Sequence, residues 1–257
     1  MNKHNLVTYN HGYKNGHTCP TIHPNIVEDT ILLLNNKPIG FYLKKAPKVI
    51  LQYMKIANYE FRSKRVPKVL MQRGTEKLNA TRGVKSVLQY SSIIGAVPAK
   101  HHMRRPYNSV SALHKVETAK TFIKAMLLTA KESEKIIEKL LPEIYHEQKK
   151  ILLENVDKKY RFSSLFTSSI SNYNVAADFH QDRKNLPGTV NVIFTKRSNT
   201  TGGCLHVPDY NITFAQEDGS MIAYPAWANL HAVTPIKSYK NDSYRNSFIF
   251  YPLKGFK

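Results

Sequence analysis

The stretch Asp178–Tyr251 constrains this chain more than any other. It carries His180 and Asp182 at positions i and i+2, His231 about fifty residues later, and Arg245 fourteen residues beyond that. On a strand, or at its end, residues i and i+2 point to the same side. An imidazole and a carboxylate can therefore converge on one point, and His231 would complete a facial set of two histidines and one carboxylate. Such a set leaves positions open on a metal and suits non-haem Fe(II) oxygenases. By itself His-x-Asp reads better as a surface dipeptide beside a buried structural histidine. The neighbours shift the balance. His231 sits in Asn-Leu-His-Ala-Val-Thr-Pro between two strand-like runs, Ser220–Tyr224 and Ser247–Tyr251, and Arg245 opens the second as Arg-x-Ser. A guanidinium there can form a bidentate pair with a carboxylate such as the distal one of 2-oxoglutarate.

Upstream, apolar runs at Thr30–Leu34 and Ile39–Leu43 flank Asn35-Asn36-Lys37-Pro38 and predict a β-hairpin. From Pro47, the three- and four-residue spacing of Val49, Ile50, Tyr53, Ile56, Ala57 and Phe61 predicts a helix backing a sheet. Val116–Val156 reads as a long helical stretch that Pro142 splits in two. Its apolar face is Ala119, Phe122, Ile123, Met126 and Leu127, continued by Ile136, Ile137, Leu140 and Leu141. Glu132, Glu134 and Glu138 pair with Lys131, Lys135 and Lys139 on the wet side. After Tyr160 come short strands at Phe162–Phe166, Thr167–Tyr173, Gly188–Thr195, Cys204–Val207, Ser220–Tyr224 and Ser247–Tyr251. Short strands parted by Gly, Pro and Asn indicate a double-sheet β architecture.

The chain of 257 residues has a net charge of +20, which favours polyanions, nucleic acid first and an anionic membrane second. A very soluble basic protein carries the same charge. The basic residues concentrate in Arg62–Arg105 with Tyr90, Tyr107, His101 and His102 among them, a mixture suited to phosphate contacts and base stacking. A solvated basic face is the plainer reading of that stretch. Two cysteines, Cys19 and Cys204, show no metal spacing and suggest a reducing interior. No apolar run is long enough to span a bilayer, and the first twenty residues lack the apolar core of a signal peptide. The expectation is an intracellular protein, not secreted, in the cytoplasm of a bacterium or phage-infected cell or in a nucleus. Residues 1–27 read as a flexible or loosely packed polar arm, since His4, His11, His17 and His23 lack the regular spacing and partners of a metal site.

Three blocks resemble the TET/JBP family of 2-oxoglutarate- and Fe(II)-dependent nucleobase dioxygenases. They are Phe166–Asn172 running on to His180–Asn185, then Gly202-Gly203 with the strand after it. The third is Leu230–Lys237 followed by Arg245–Tyr251, in which His-Ala-x-Thr-Pro and Arg-x-Ser-x-x-Phe-Tyr match almost letter for letter. The likeness covers about Tyr160 to Tyr251 and extends more weakly to Arg82. It implies an α+β fold: a double-stranded β-helix (jelly-roll) core over 81–257, a hairpin-and-helix extension over 28–80, and flanking N-terminal helices. It implies Fe(II), 2-oxoglutarate and O₂, with His180, Asp182 and His231 as metal ligands and catalytic centre. Arg245 and Ser247 would bind the distal carboxylate of the cosubstrate. His206 resembles a family histidine near the cosubstrate and reads equally as a structural residue. Arg82 matches a position for the nearer carboxylate or a DNA phosphate. Asn185 would hydrogen-bond a flipped pyrimidine, and Tyr251 would stack on it, although alone Tyr251 reads as a core tyrosine. Arg104 and Arg105 join the DNA-contacting set. Leu253 departs from the family, since some members carry a base-contacting histidine there. The implied activity is oxidation of the C5-methyl group of a pyrimidine in double-stranded DNA by a monomer, with 5-methylcytosine ahead of thymine. A protein side-chain hydroxylase and an inactive DNA-binding module are the other readings.

Overall fold

The structure is a computed structural model and describes residues 1–70, 89–100 and 106–257. Arg82, Arg104 and Arg105 lie outside the described residues, as does most of the basic stretch.

Most strands join one large sheet. Its members are β1 (Asn2–Asn5), β2 (Thr30–Leu34), β3 (Lys37–Leu43), β4 (Val69–Leu70), β5 (Tyr90–Val97), β6 (Ser109–Val110) and β7 (Ser168–Tyr173). A smaller sheet begins with β8 (Ala177–His180), and β9 (Asn191–Ser198) returns to the large one. Next come β10 (Thr200–Gly202), β11 (Leu205–Val207), β12 (Ile212–Thr213), β13 (Met221–Tyr224), β14 (His231–Val233), β15 (Ile236–Ser238) and β16 (Tyr244–Tyr251). The large sheet runs β1-β2-β3-β13-β9-β16-β7-β5-β4, with β6 on β5. The small one runs β12-β11-β14-β8 and is antiparallel throughout. These two sheets, antiparallel apart from the β1–β2 pair, with long crossings between them make the jelly-roll expected from the pattern of short strands.

Alternation on β16 decides what faces what. Phe248 and Phe250 point to the helical side and are fully buried, while Arg245, Ser247, Ile249 and Tyr251 line a cavity between the sheets. Three helices cover the outer face of the large sheet: α1 (Lys48–Arg62), α2 (Lys120–Leu140) and α3 (Pro142–Asn155). They bury Ile50, Met54, Phe61, Phe122, Met126 and Ile137 against Phe194, Phe248 and Phe250. Pro142 stands in the first turn of α3, where its missing N–H costs nothing. The inner face packs Leu32, Tyr42, Ile193, Leu205, Ile222 and Phe214 between the sheets.

Four details differ from the sequence pattern. Val49 and Ile56 on α1 are exposed, because the helix turns Asn58 and Glu60 inward. Asn58 accepts from Asn246 Nδ2 at 2.7 Å, and Glu60 accepts from Arg65 Nη1 at 2.6 Å, so both buried polar groups are satisfied at some atom. Leu127 is exposed on α2. Of the expected acidic side of α2, Glu132 does pair with Lys135 at 2.8 Å, but Glu134 is buried. Glu134 accepts from Leu165 N at 2.9 Å and Ser164 Oγ at 2.7 Å. That clamp accompanies a bent backbone over 162–165, where the sequence pattern predicts the strand Phe162–Phe166.

The N-terminal segment is not loose. β1 pairs in parallel with β2, Cys19 and Ile26 are buried, and Tyr13 stacks on Phe179 with centroids 4.3 Å apart. Gly16 N donates to Phe179 O at 2.7 Å and Phe179 N donates to His17 O at 2.9 Å. The segment thereby covers the edge of β8 that β14 leaves open, which an unpaired strand edge requires. Among the described residues, no helix is long and apolar enough to cross a membrane.

Candidate metal centre and cavity

Register brings the two histidines together. β14 pairs antiparallel with β8 so that His231 stands opposite His180, and their rings lie 4.4 Å apart between centroids. Asp182 follows two residues after His180, past the end of β8, where its N–H donates to Ala226 O at 3.1 Å. Its Oδ1 lies 3.8 Å from His180 Nε2, and one ligand atom from each of the three residues falls within 4.8 Å of the others.

Second partners set the chemistry of these atoms. His180 Nδ1 lies 2.7 Å from Asp178 O, and His231 Nδ1 lies 3.0 Å from Asn229 O. A carbonyl only accepts, so each Nδ1 carries the hydrogen and each Nε2 lone pair faces the site. Burial pushes the His231 imidazole below its ordinary pKa, and neighbouring His180 pushes the same way. It is thus neutral and ready to ligate near pH 7. Asp182 Oδ2 accepts from Asn191 Nδ2 at 3.0 Å and, at a longer 3.4 Å, from Asn185 Nδ2. Oδ1 is left for a metal. Two free imidazole nitrogens and one free carboxylate oxygen are the donor set of a facial Fe(II) site.

The cavity beside these residues measures about 550 Å³ and reaches from Arg245 to Tyr251, Leu253, Arg183 and Lys184. That is the ordinary size for a small-molecule site. Arg245 is 1 % exposed. Its Nη2 donates to Gly203 O at 2.7 Å and Gln216 Oε1 at 3.0 Å, whereas its Nε is buried without a partner. Burial pushes the guanidinium down to about 10, so it is still charged at neutral pH. Among the described residues, no carboxylate lies within ion-pairing distance of it. A buried cation without a counter-ion is costly, and the cavity is the place from which an anion can reach it. The Gly202-Gly203 pair belongs to this arrangement: Gly203 has φ +68 and a Cβ there would stand 3.0 Å from Arg245 Nε.

Of the other residues singled out in the sequence, Ser247 lines the cavity two residues along from Arg245, and Asn185, Tyr251 and Leu253 line it nearer the metal ligands. Burial pushes the Tyr251 hydroxyl upward in pKa, with Asp182 adding to it, so it stays protonated. His206 is not brought to the cavity. It is buried on β11 with Nδ1 2.8 Å from Thr213 Oγ1, against Tyr13 and Phe179. Burial lowers its pKa from the ordinary 6.5. The unfolded chain then binds the proton more readily, so stability is full above about pH 6.5 and falls as the pH drops below it. Melting temperature should decline from pH 7 towards pH 5, and His206→Gln should flatten that decline; an unaltered slope would mean other groups cause it.

Sequence reading missed Gln216, which holds Arg245 Nη2, and Asn191. Asn191 had a signal: it is the polar residue in Val190-Asn191-Val192-Ile193-Phe194.

The family model Tet_JBP, the oxygenase domain of the 2OGFeDO superfamily, matches residues 98–254. Among solved structures, the chain is similar to NgTET1 in complex with 5mC DNA, with 16% identity over 95% of this chain and 84% of that one and a TM-score of 0.60. At that identity the likeness speaks for the fold. A 2OG-Fe(II) oxygenase family member from Burkholderia pseudomallei matches at 12% identity over 84% of this chain and 86% of that one, with a TM-score of 0.44. No curated protein matches the chain.

Proposed function

As a member of the Tet_JBP family, the oxygenase domain of the 2OGFeDO superfamily, this chain is an Fe(II)- and 2-oxoglutarate-dependent dioxygenase, and we propose that it oxidises the C5-methyl group of a pyrimidine in DNA, 5-methylcytosine before thymine. The observation that carries this reading is the pairing, in one cavity, of the His180–Asp182–His231 cluster with the unpaired buried cation of Arg245. When bound, iron with 2-oxoglutarate and O₂ supplies an oxidant able to hydroxylate a methyl group, with decarboxylation of 2-oxoglutarate to succinate.

The chain's own part is placement. His180, Asp182 and His231 would hold the metal, and Arg245 with the Ser247 hydroxyl would take the distal carboxylate of 2-oxoglutarate as a charge-assisted pair. A paired pyrimidine must leave the duplex to enter, because its methyl lies in the major groove and out of reach of a recessed metal. Tyr251, half-buried at the metal end, would stack on the flipped base. Asn185 would read its edge. Its NH₂ group already donates to Asn191 Oδ1 at 2.9 Å and towards Asp182, so the amide oxygen is what remains for the base. An acceptor there favours the exocyclic amine of cytosine over the O4 of thymine. The fold likeness to a protein solved with 5mC DNA supports DNA as the partner, as does the net charge of +20. Exposed Arg183 and Lys184 stand at the cavity rim to meet phosphates.

The test is coupling. Methylated duplex DNA should stimulate consumption of 2-oxoglutarate, and unmethylated duplex or protein substrates should not. Tyr251→Ala should cut the DNA-dependent part by roughly 5-fold or more, since stacking contributes about 1–3 kcal/mol, and spare the uncoupled rate. Stimulation by a protein fraction instead of DNA would favour the side-chain hydroxylase.

A further inference from the structure

Asn191 opens β9 on the cavity face and is 2 % exposed, with Val190 and Val192 on either side equally buried. An amide in such surroundings costs free energy unless it is fully bonded. Here its Nδ2 donates to Asp182 Oδ2 at 3.0 Å, and its Oδ1 accepts from Asn185 Nδ2 at 2.9 Å. The donor and acceptor roles are forced. An ionised carboxylate only accepts, so Asn191 must turn its NH₂ towards Asp182. Its oxygen then faces Asn185, and only the NH₂ of Asn185 can answer it. The same NH₂ makes the longer 3.4 Å contact to Asp182 Oδ2. One residue thus decides two orientations: which carboxylate oxygen is left for the metal, and which end of the Asn185 amide is left for the cavity.

We propose that Asn191 is a positioning residue that couples the metal carboxylate to base selection, holding Asp182 with its nitrogen and fixing the polarity of the Asn185 amide with its oxygen. The metal half stands on the Asp182 geometry alone; the selection half rests on the pyrimidine reading above. Nothing in the sequence spacing links residues 182, 185 and 191, which meet because the loop between β8 and β9 folds back. That loop is sewn to the C-terminal segment by Leu186 N to Pro252 O and Lys254 N to Lys184 O, both 3.0 Å.

The experiment has two readouts on Asn191→Leu, which has the same branching of heavy side-chain atoms and can neither donate nor accept, and on Asn191→Ala. The first is titration of the metal-free protein with Co(II), followed by its visible absorption, with no cosubstrate or DNA present. Affinity should fall by about 10–100-fold, the usual effect of removing a partner of a metal ligand. The melting temperature of the metal-free variants checks that they are folded, and Asn191→Ala serves if Asn191→Leu is not. Unchanged Co(II) affinity in a folded variant overturns the proposal. The second readout is the ratio of 5-methylcytosine to thymine oxidised in competition, which should drop towards parity in the variants. A weakened metal with an unchanged ratio overturns the coupling and leaves Asn191 holding the ligand alone. If the wild-type protein oxidises neither base, the pyrimidine reading fails, and the selection half falls with it. The Co(II) titration still decides whether Asn191 holds Asp182.

Discussion

Asp182→Ala is expected to abolish turnover while DNA affinity stays near that of the unaltered protein. The two functions draw on different atoms. Removing Asp182 leaves two imidazoles facing each other across β8 and β14, with no anionic ligand to complete the facial set. On the DNA reading, affinity would come instead from lysines and arginines on phosphates, and the rim residues Arg183 and Lys184 are exposed and are not among the metal-binding cluster. Metal content by elemental analysis and DNA binding by fluorescence anisotropy at fixed salt separate the two. Equal loss of both in a folded variant would contradict the division.

Arg245→Met has the second large effect, with opposite signs in two assays. With the cation gone, the distal carboxylate of 2-oxoglutarate would lose the buried partner proposed for it. That costs roughly 2–5 kcal/mol, or about 30-fold and upward in affinity. In the absence of cosubstrate the same change removes an uncompensated buried charge, so the melting temperature should hold or rise. Addition of 2-oxoglutarate then no longer raises it. Ordinary cosubstrate affinity in Arg245→Met, or collapse of the ligand-free fold, would show that Arg245 is a structural cation satisfied by Gly203 and Gln216 alone.

What the sequence made legible is what short spacing and alternation encode. His180 and Asp182 share a side of one segment, and Arg245, Ser247, Ile249 and Tyr251 share one face of β16, so their convergence follows from the pleat. His231 opposite His180 needed a register, which no local pattern states, and was legible through the motif around it. The clamp of Asn185 and Asn191 on Asp182 was not legible, because it depends on how a loop closes. Nor was the burial of Asn58 and Glu134 visible, since each is matched by a distant partner that helical periodicity cannot reveal. His206 shows the reverse case: a strand histidine in the right neighbourhood that folds away from the cavity towards Thr213. The N-terminal segment looked loose by composition, yet the open edge of β8 gave it a place to bind.

Oxidation of a pyrimidine methyl group in this cavity, as proposed above, leaves a product that can be counted. Digestion of methylated duplex DNA to nucleosides after incubation with the protein, Fe(II) and 2-oxoglutarate, followed by mass spectrometry, tests it most directly. The expected result is loss of 5-methylcytosine matched by 5-hydroxymethylcytosine or its further oxidation products, with at least one succinate formed per oxidation and none of it in Asp182→Ala. Unchanged 5-methylcytosine and thymine, in the presence of protein that binds iron and turns over 2-oxoglutarate, would contradict it.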